Sequence, residues 1–388
     1  MSNPAPQGSL PAPATGRVDL LVVAAEHSGD EHAARMVRGI LAKRPELKIC
    51  ALGGAQLRAA GAQLLRDLTG SSALGFAVIA KISYYKKLIA DIVRWIGVHR
   101  PRAVCFVDSS GLNLRIAEGL VAQGYSRKGG GTTQALYYIS PQIWASRAGR
   151  RFQMSRHLDG LASIFPFEPA VYSDTRLPVE FVGHPFVAAD YVPPVRYDPA
   201  GPILLLPGSR KSAVARIFPV LLEGFKAWQG DRPAVVLYPS EEIKAVLEAA
   251  KPPANVTLRR TNEGAAVAAA AVLTSSGTMS MHCALAGIPG VVTYKADKLT
   301  YLLGRLLVTV EYLGIANLLL REPMYPEYIQ GAAKPEVLAR ELEDCLKNPA
   351  RIARTQEQAA RLRGLLSQPA AGSAVEWMLR HLGKAQSL

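Results

Sequence analysis

Short runs that are apolar at almost every position recur along the chain: 18-VDLLVVAA-25, 48-KICALGG-54, 103-AVCFVD-108, 134-QALYYIS-140, 161-LASIF-165 and 179-VEFVG-183. A strand with one face in water alternates apolar and polar residues. These runs do not alternate, so both of their faces need cover, as in a parallel sheet with helices on each side. Helical patterns separate them. A proline-rich stretch without periodicity, 184-HPFVAADYVPPVRYDPAGP-202, reads as a linker. The rhythm then restarts with 203-ILLLP-207, 233-PAVVLYP-239, 255-NVTLRR-260 and 290-GVVTYK-295, and the last fifty or so residues are helical. The spacing predicts an α/β chain of two doubly wound, Rossmann-like domains, at 17–190 and 200–388, the second including the C-terminal helices. Residues 1–16, MSNPAPQGSLPAPATG, read as a flexible tail without the apolar core of a signal peptide. Doubly wound sheets bind ligands at the carboxyl ends of their strands, where the strand order reverses. Two such domains facing a cleft suit an enzyme with two substrates.

With 388 residues and 49% of them hydrophobic, the chain can bury two cores. The balance of 45 basic against 31 acidic residues, +14, favours anionic partners. Nucleic acid is the weakest of these, because there is no long Lys/Arg run, zinc-finger spacing or aromatic RNA-binding signature. Cys50, Cys105, Cys283 and Cys345 show no metal-ligand spacing and read as buried, reduced thiols. No metal and no cofactor is expected. No run of 18 or more apolar residues suggests a membrane span.

In the second domain, 203-ILLLPGSRKS-212 runs from a strand through Gly208, Ser209 and Arg210 into a helix. Glycine admits close backbone approach, and the hydroxyl, the guanidinium and the helix N-terminus all suit a phosphate. It is not a Walker A loop, since no GK[ST] follows. The segment 272-VLTSSGTMSMHCALAGIPGVVTYK-295 repeats this logic with Ser276, Gly277 and Thr278. Two phosphate-suited loops in one domain point to a nucleotide diphosphate. Asn317, Glu327 and Gln330, in 316-ANLLL-320 and 326-PEYIQ-330, complete the donor-side candidates. A carboxylate there would repel phosphate but can accept hydrogen bonds from ribose hydroxyls; cap and loop roles stay open.

In the first domain, 25-AEHSGDEHAARMV-37 crowds Glu26, His27, Ser28, Gly29 and Asp30 where strand becomes helix. Ser28 with Glu31 would form a capping box. That leaves Glu26, His27 and Asp30 to an active-site loop. Asp108, at the end of the run 103–108, reads as a general base, an orienting acceptor or a cap. Asn113 follows at a helix start, and Arg147 and Arg150 lie in 137-YYISPQIWASRAGR-150. His184 is structural or catalytic. The segment 74-LGFAVIAKISYYKKLIADIVRWIGVHR-100 sets Tyr84, Leu88, Ile92 and Trp95 on one helical face and Lys86, Lys87, Arg94, His99 and Arg100 elsewhere. Such a helix faces either a core or an anionic membrane surface.

Taken in order, 25-AEHSGD-30, 52-LGGAQLRAAG-61, 108-DSSGLNLRIA-117, 137-YYISPQIWASRAGR-150, 166-PFEPAVY-172, 181-FVGHP-185, 206-LPGSR-210, 275-SSGT-278, 317-NLLL-320 and 326-PEYIQ-330 resemble lipid-A-disaccharide synthase, an inverting glycosyltransferase of the GT-B fold. The resemblance implies transfer of a sugar from UDP-2,3-diacylglucosamine to the 6-hydroxyl of 2,3-diacylglucosamine 1-phosphate (lipid X). It implies UDP in the second domain, with positive charge stabilising the leaving diphosphate in place of a metal. The acceptor would lie in the first, contacted by Ser28, Gly29, Asp30, Asn113 and Arg147, with Asp108 or else Glu26 as base. It also implies a peripheral position on the anionic cytoplasmic face of a Gram-negative-type inner membrane. A homodimer is expected as well.

The chain departs from the family pattern at Ala25, at Gly111 and His282 where the family carries acids, and at Ala213. These positions leave room for a paralogue with another UDP-sugar or acceptor, or for a catalytically silent binder. A UDP-sugar epimerase on the same fold would need no acceptor pocket.

Overall fold

The computed structural model describes residues 10–69, 78–189, 191–261, 264–297 and 311–383. It divides into two compact units, Met1–Pro185 with Pro369–Leu388, and Phe186–Gln368.

The first unit is built on seven strands: β1 (Leu20–Ala24), β2 (Ile49–Gly53), β3 (Gln63–Asp67), β4 (Ala103–Val107), β5 (Gln134–Tyr138), β6 (Gly160–Ser163) and β7 (Val179–Phe181). They pair in parallel in the order β3-β2-β1-β4-β5-β6-β7. Every residue of β1, β2, β4 and β5 is buried, which is why these runs lack alternation. The helix Val78–His99 sends Leu88, Ile92, Trp95 and Ile96 into a core with Val104, Phe106, Ile116 and Leu120, and Tyr84 packs at its edge. The face Tyr84–Leu88–Ile92–Trp95, for which a membrane was one reading, is therefore taken up by the core. Residues 74–77 of that stretch lie outside the described residues.

Two boundaries differ from the sequence reading. The predicted tail is tied down from residue 10 onward: Leu10 is buried, the Trp95 indole N–H donates to the Pro11 carbonyl at 2.9 Å, and Gln63 exchanges hydrogen bonds with Ala12 and Ala14. The last helix, Ala374–Gly383, was placed with the second domain and instead belongs to the first unit. It buries Trp377, Met378 and Leu382 there. It lies so close to the helix His27–Lys43 that a Cβ on Gly39 would come within 2.5 Å of Val375. Arg102 donates to the Leu382 carbonyl, and Arg380 pairs with Glu180 at 2.5 Å. Helical periodicity alone does not say which core an amphipathic helix joins.

The second unit contains β8 (Val195–Tyr197), β9 (Ile203–Leu206), β10 (Ala234–Tyr238), β11 (Val256–Arg260), β12 (Val267–Ala269), β13 (Ala271–Thr274), β14 (Gly290–Tyr294) and β15 (Glu327–Ile329). Six strands form a parallel sheet, β11-β10-β9-β13-β14-β15, while β8, from within the predicted linker, pairs with β12. Leu205, Val214, Phe218, Leu221, Leu338 and Leu342 meet in the core. The helices Lys211–Ala227 and Pro335–Lys347 touch where Gly224 leaves room for Leu338, whose Cβ lies 2.6 Å from where a glycine Cβ would stand.

Trp377 is 1% exposed. Trp377→Ala is expected to destabilise the first unit by about 3–5 kcal/mol. Hydrogen exchange should show faster opening of β1 and β4 while β9 and β13 keep their protection.

Candidate functional site

In the first sheet the strand order turns around between β1 and β4, whose ends align as Val23 with Phe106 and Ala24 with Val107. Both polar loops singled out in the sequence leave from this point. They lie against each other: a Cβ on Gly29 would stand 3.5 Å from the Val107 carbonyl and 3.6 Å from the Asp108 Cβ.

Asp108 and Ser109 both take left-handed backbone angles, φ 50° and 42°. Two consecutive non-glycine residues in this region are costly and need outside support. It comes from buried neighbours. The Tyr137 hydroxyl donates to the Asp108 carbonyl, and Asn113 Nδ2 donates to the Asp108 and Val107 carbonyls at 2.9 and 3.1 Å. The backbone so held carries the Asp108 carboxylate to within 3.5 Å of the Ser28 hydroxyl. Asn113 is thus fully buried with its Nδ2 on backbone, where it supports Asp108. Tyr137 was missed because a tyrosine inside an apolar run reads as core.

Asp30 also turns inward. It accepts from the backbone N–H groups of Gly54, Gln56 and Leu57 at 2.7, 3.0 and 3.3 Å, capping the short helix Ala55–Ala59 from across the sheet edge. The predicted capping box does not form either. The helix His27–Lys43 has Glu26 at its N-cap in extended conformation, leaving Ser28 in the first turn. Glu26, Ser28 and Asp108 remain around the opening. Arg150 donates to the Ser110 hydroxyl at 3.2 Å, and burial followed by the nearby positive charge of Arg147 lowers its proton affinity. An acid and two arginines therefore gather at one sheet edge.

Segments farther along this edge assemble around Glu168, a fully buried carboxylate. It accepts from the Trp144 indole at 3.3 Å and from the backbone N–H groups of Ile164 and Phe165 at 3.2 and 3.1 Å. Burial pushes its pKa up to about 7 against these hydrogen bonds. His184, left open between two roles, is buried with its ring centroid 5.3 Å from that of Phe165.

The second sheet repeats the arrangement. Its order turns around between β9 and β13, aligned as Leu206 with Thr274. The loops 207–210 and 275–278 leave side by side from these ends. Gly208 has φ 110°, a conformation closed to most side chains, and a Cβ there would press to 3.3 Å of the Ser275 hydroxyl. Ser275 is buried between the loops, whereas Ser209, Arg210, Gly277 and Thr278 are exposed and Ser276 is partly so. The helices Lys211–Ala227 and Thr278–Leu285 start here, adding backbone N–H groups and positive dipole ends.

Asn317, Glu327 and Gln330 sit at the edge of this sheet with their polar atoms engaged. Glu327 accepts from the backbone N–H groups of Leu313 and Gly314, each at 2.8 Å, and from Asn317 at 2.8 Å. Asn317 bonds the backbone of Met324 and Tyr325, and Gln330 pairs with both backbone groups of Ala296. These contacts close loops at the sheet edge, and Glu327 and Gln330 stay partly exposed there. Among the described residues, no group of three or more His, Cys, Asp and Glu side chains is placed to hold a metal.

The lipid-A-disaccharide synthetase family model matches residues 20–380. Lipid-A-disaccharide synthase of Syntrophus aciditrophicus is 32% identical over 91% of this chain and 94% of its own. Lipid-A-disaccharide synthase 1 of Legionella pneumophila (strain Lens) is 34% identical over 90% and 93%. The chain belongs to the lipid-A-disaccharide synthetase family. The fold is GT-B: a calicheamicin glycosyltransferase superposes with TM-score 0.58 at 14% identity, covering 96% of this chain and all (100%) of its own. A UDP-GlcNAc 2-epimerase from Neisseria meningitidis does so with TM-score 0.58 at 10% identity, covering 94% and 99%. At such identities these two matches speak for the fold alone.

Within this family of glycosyltransferases, the departures at Gly111 and His282 have distinct structural settings. A Cβ on Gly111 would meet nothing within 4 Å, so an acid would fit there. His282 is built into its surroundings: its Nδ1 meets the Tyr191 hydroxyl, and its ring lies 4.0 Å from Phe186.

Asn113→Ala should cost about 1–3 kcal/mol by stranding buried carbonyls, measured by denaturant unfolding, with turnover falling more than UDP affinity. Glu168 makes a signed pH contribution. Its folded pKa, about 7, lies above the ordinary glutamate value of 4.5, so its stabilising contribution is full below that value and is lost as pH rises toward 7. The thermal midpoint of the native protein relative to Glu168→Gln should therefore fall across this window, by the equivalent of at most about 3 kcal/mol.

Proposed function

We propose that the chain transfers the 2,3-diacylglucosamine unit of UDP-2,3-diacylglucosamine to the 6-hydroxyl of 2,3-diacylglucosamine 1-phosphate, releasing UDP and a β-1,6-linked disaccharide 1-phosphate. The observation that carries this reading is that each sheet brings polar loops to its own strand-order reversal, with different chemistry at each. The first offers a carboxylate with arginines nearby, suited to a phosphorylated acceptor whose hydroxyl must lose a proton. The second offers hydroxyls, Arg210 and helix N-termini, suited to a diphosphate. The family's name and relatives support the same substrates.

In the step, a base takes the proton of the 6-hydroxyl as its oxygen attacks the anomeric carbon and the bond to the diphosphate oxygen breaks, inverting that carbon. Asp108 is the first candidate for the base and Glu26 the second. Charge developing on the leaving UDP would be met by Arg210 and the N–H groups of the loops 207–210 and 275–278, including Ser276, Gly277 and Thr278. Arg147 and Arg150 would hold the acceptor phosphate. Attachment to an anionic membrane surface is read from the +14 charge and the lipid nature of the substrates. A second reading, another acceptor on the same scaffold, is favoured by Gly111 and His282.

The test is UDP formation with and without 2,3-diacylglucosamine 1-phosphate, with the lipid product weighed by mass spectrometry. Acceptor-dependent UDP and a disaccharide 1-phosphate are expected. Asp108→Asn should lower kcat by about 10²–10⁴ with UDP affinity retained, in keeping with loss of a general base. Full turnover in both Asp108→Asn and Glu26→Gln would remove both from that role, and a folded, UDP-binding protein that forms no product would favour the second reading.

A further inference from the structure

Two of the segments on which the family resemblance rests, 166–172 and 181–185, and Trp144 within a third, 137–150, have no role in the chemistry above. They converge at the carboxyl ends of β5, β6 and β7. The Trp144 ring stands edge-on to Phe167, with centroids 5.2 Å apart, and to Phe165 at 6.3 Å. Phe165 and Phe167 stack at 5.7 Å, and His184 backs Phe165 from below. Phe165 and His184 are buried, Trp144 is partly exposed and Phe167 is 38% exposed. Among the described residues, the other large exposed aromatic, Phe152, has the Arg151 guanidinium across its face at 4.3 Å. Phe167 has rings for neighbours instead.

The anchoring of this surface is costly. Burying a carboxylate is unfavourable, and Glu168 remains buried while spending one oxygen on the indole N–H and the other on the turn that carries Phe165. The result fixes the edge of Trp144 and leaves ring carbon at the surface. A sugar hydroxyl placed on ring carbon would lack a partner, whereas a hydrocarbon chain gains with each methylene removed from water. The position fits as well. The sheet runs β4, β5, β6, so the chain carrying Phe165 leaves β6 about 10 Å, two strand spacings, from the end of β4 where Asp108 lies.

We infer that the Trp144–Phe167 surface is an acyl-chain subsite, seating one hydrocarbon chain of the acceptor glycolipid while the sugar lies at Asp108. This deepens, and rests on, the reading of the first unit as the acceptor side. It makes chain length a determinant of acceptor affinity in this unit, separate from any attraction to a membrane surface.

The experiment measures binding of 2,3-diacylglucosamine 1-phosphate with short or long chains, about four and about twelve carbons, in neutral detergent micelles, followed by tryptophan emission and by calorimetry. The full-length protein is compared with Phe167→Ser and Trp144→Ala, and hydrogen-exchange protection of β1 and β4 reports that the first unit of each variant is folded. The native protein should bind the long-chain compound at least tenfold more tightly than the short. Each variant should lose most of that ratio, and the long-chain compound should shift the emission of the native protein but not of Trp144→Ala. If both variants keep the protection of β1 and β4 and keep the native ratio, the subsite is refuted. A lost ratio in a protein that makes no disaccharide would uphold the subsite and refute the proposed reaction, so the two failures are distinct. Should Trp144→Ala fail to fold, Phe167→Ser, at an exposed position, decides alone.

Discussion

Parallel pairing of strands whose order reverses at one seam is the constraint on which the rest depends. A parallel sheet delivers every carboxyl end to the same edge, and at the seam the helices on the two sides leave in opposite directions and open a crevice. In the first unit that seam is β1/β4, in the second β9/β13. The cost is burial of both sheet faces, which is met by the uninterrupted apolar strands. The gain is that residues far apart in the chain, such as Ser28 and Asp108 or Gly208 and Ser275, come within a few ångströms of each other.

What the two seams do with this placement differs. At β4 the chain accepts strain: Asp108 and Ser109 are left-handed, and the fully buried Asn113 and Tyr137 hold the Asp108 carbonyl so that the carboxylate has a defined direction. At β9 the strain is relieved by composition, since Gly208 takes the left-handed angle directly, and two helices start beside it. A fixed carboxylate suits proton transfer, and bare N–H groups at helix starts suit phosphate. Difference in chemistry thus follows from which residue type occupies the same topological position.

Much of this was legible in the residues. Non-alternating strands implied two covered parallel sheets, and the loops after 24, 107, 206 and 274 were identifiable as strand ends carrying polar residues. Other features were not legible, for physical reasons. Asp30, Asn113, Asn317, Glu327 and Gln330 are polar and near strand ends, but their bonds to backbone groups, such as those of Asp30 to Gly54, Gln56 and Leu57, form only when the chain folds. A carboxylate that caps a helix from a different segment leaves no local pattern. Trp95, Leu88 and Ile92 form an amphipathic face whose period is the same whether a core or a membrane covers it. The helix Ala374–Gly383 follows the second unit in sequence but meets the surface of the first, because Gly39 leaves space for Val375. Tyr137 and Glu168 matter through buried hydrogen bonds that only the folded chain assembles.

The central claim is that nucleotide and acceptor have separate seams. Hydrogen exchange of the intact protein with and without UDP tests it most directly. Added protection confined to the loops 207–212 and 275–280 is expected, with 25–30 and 108–113 unchanged until 2,3-diacylglucosamine 1-phosphate is added. Protection by UDP at 25–30 and 108–113, with none at Gly208 or Gly277, would contradict it.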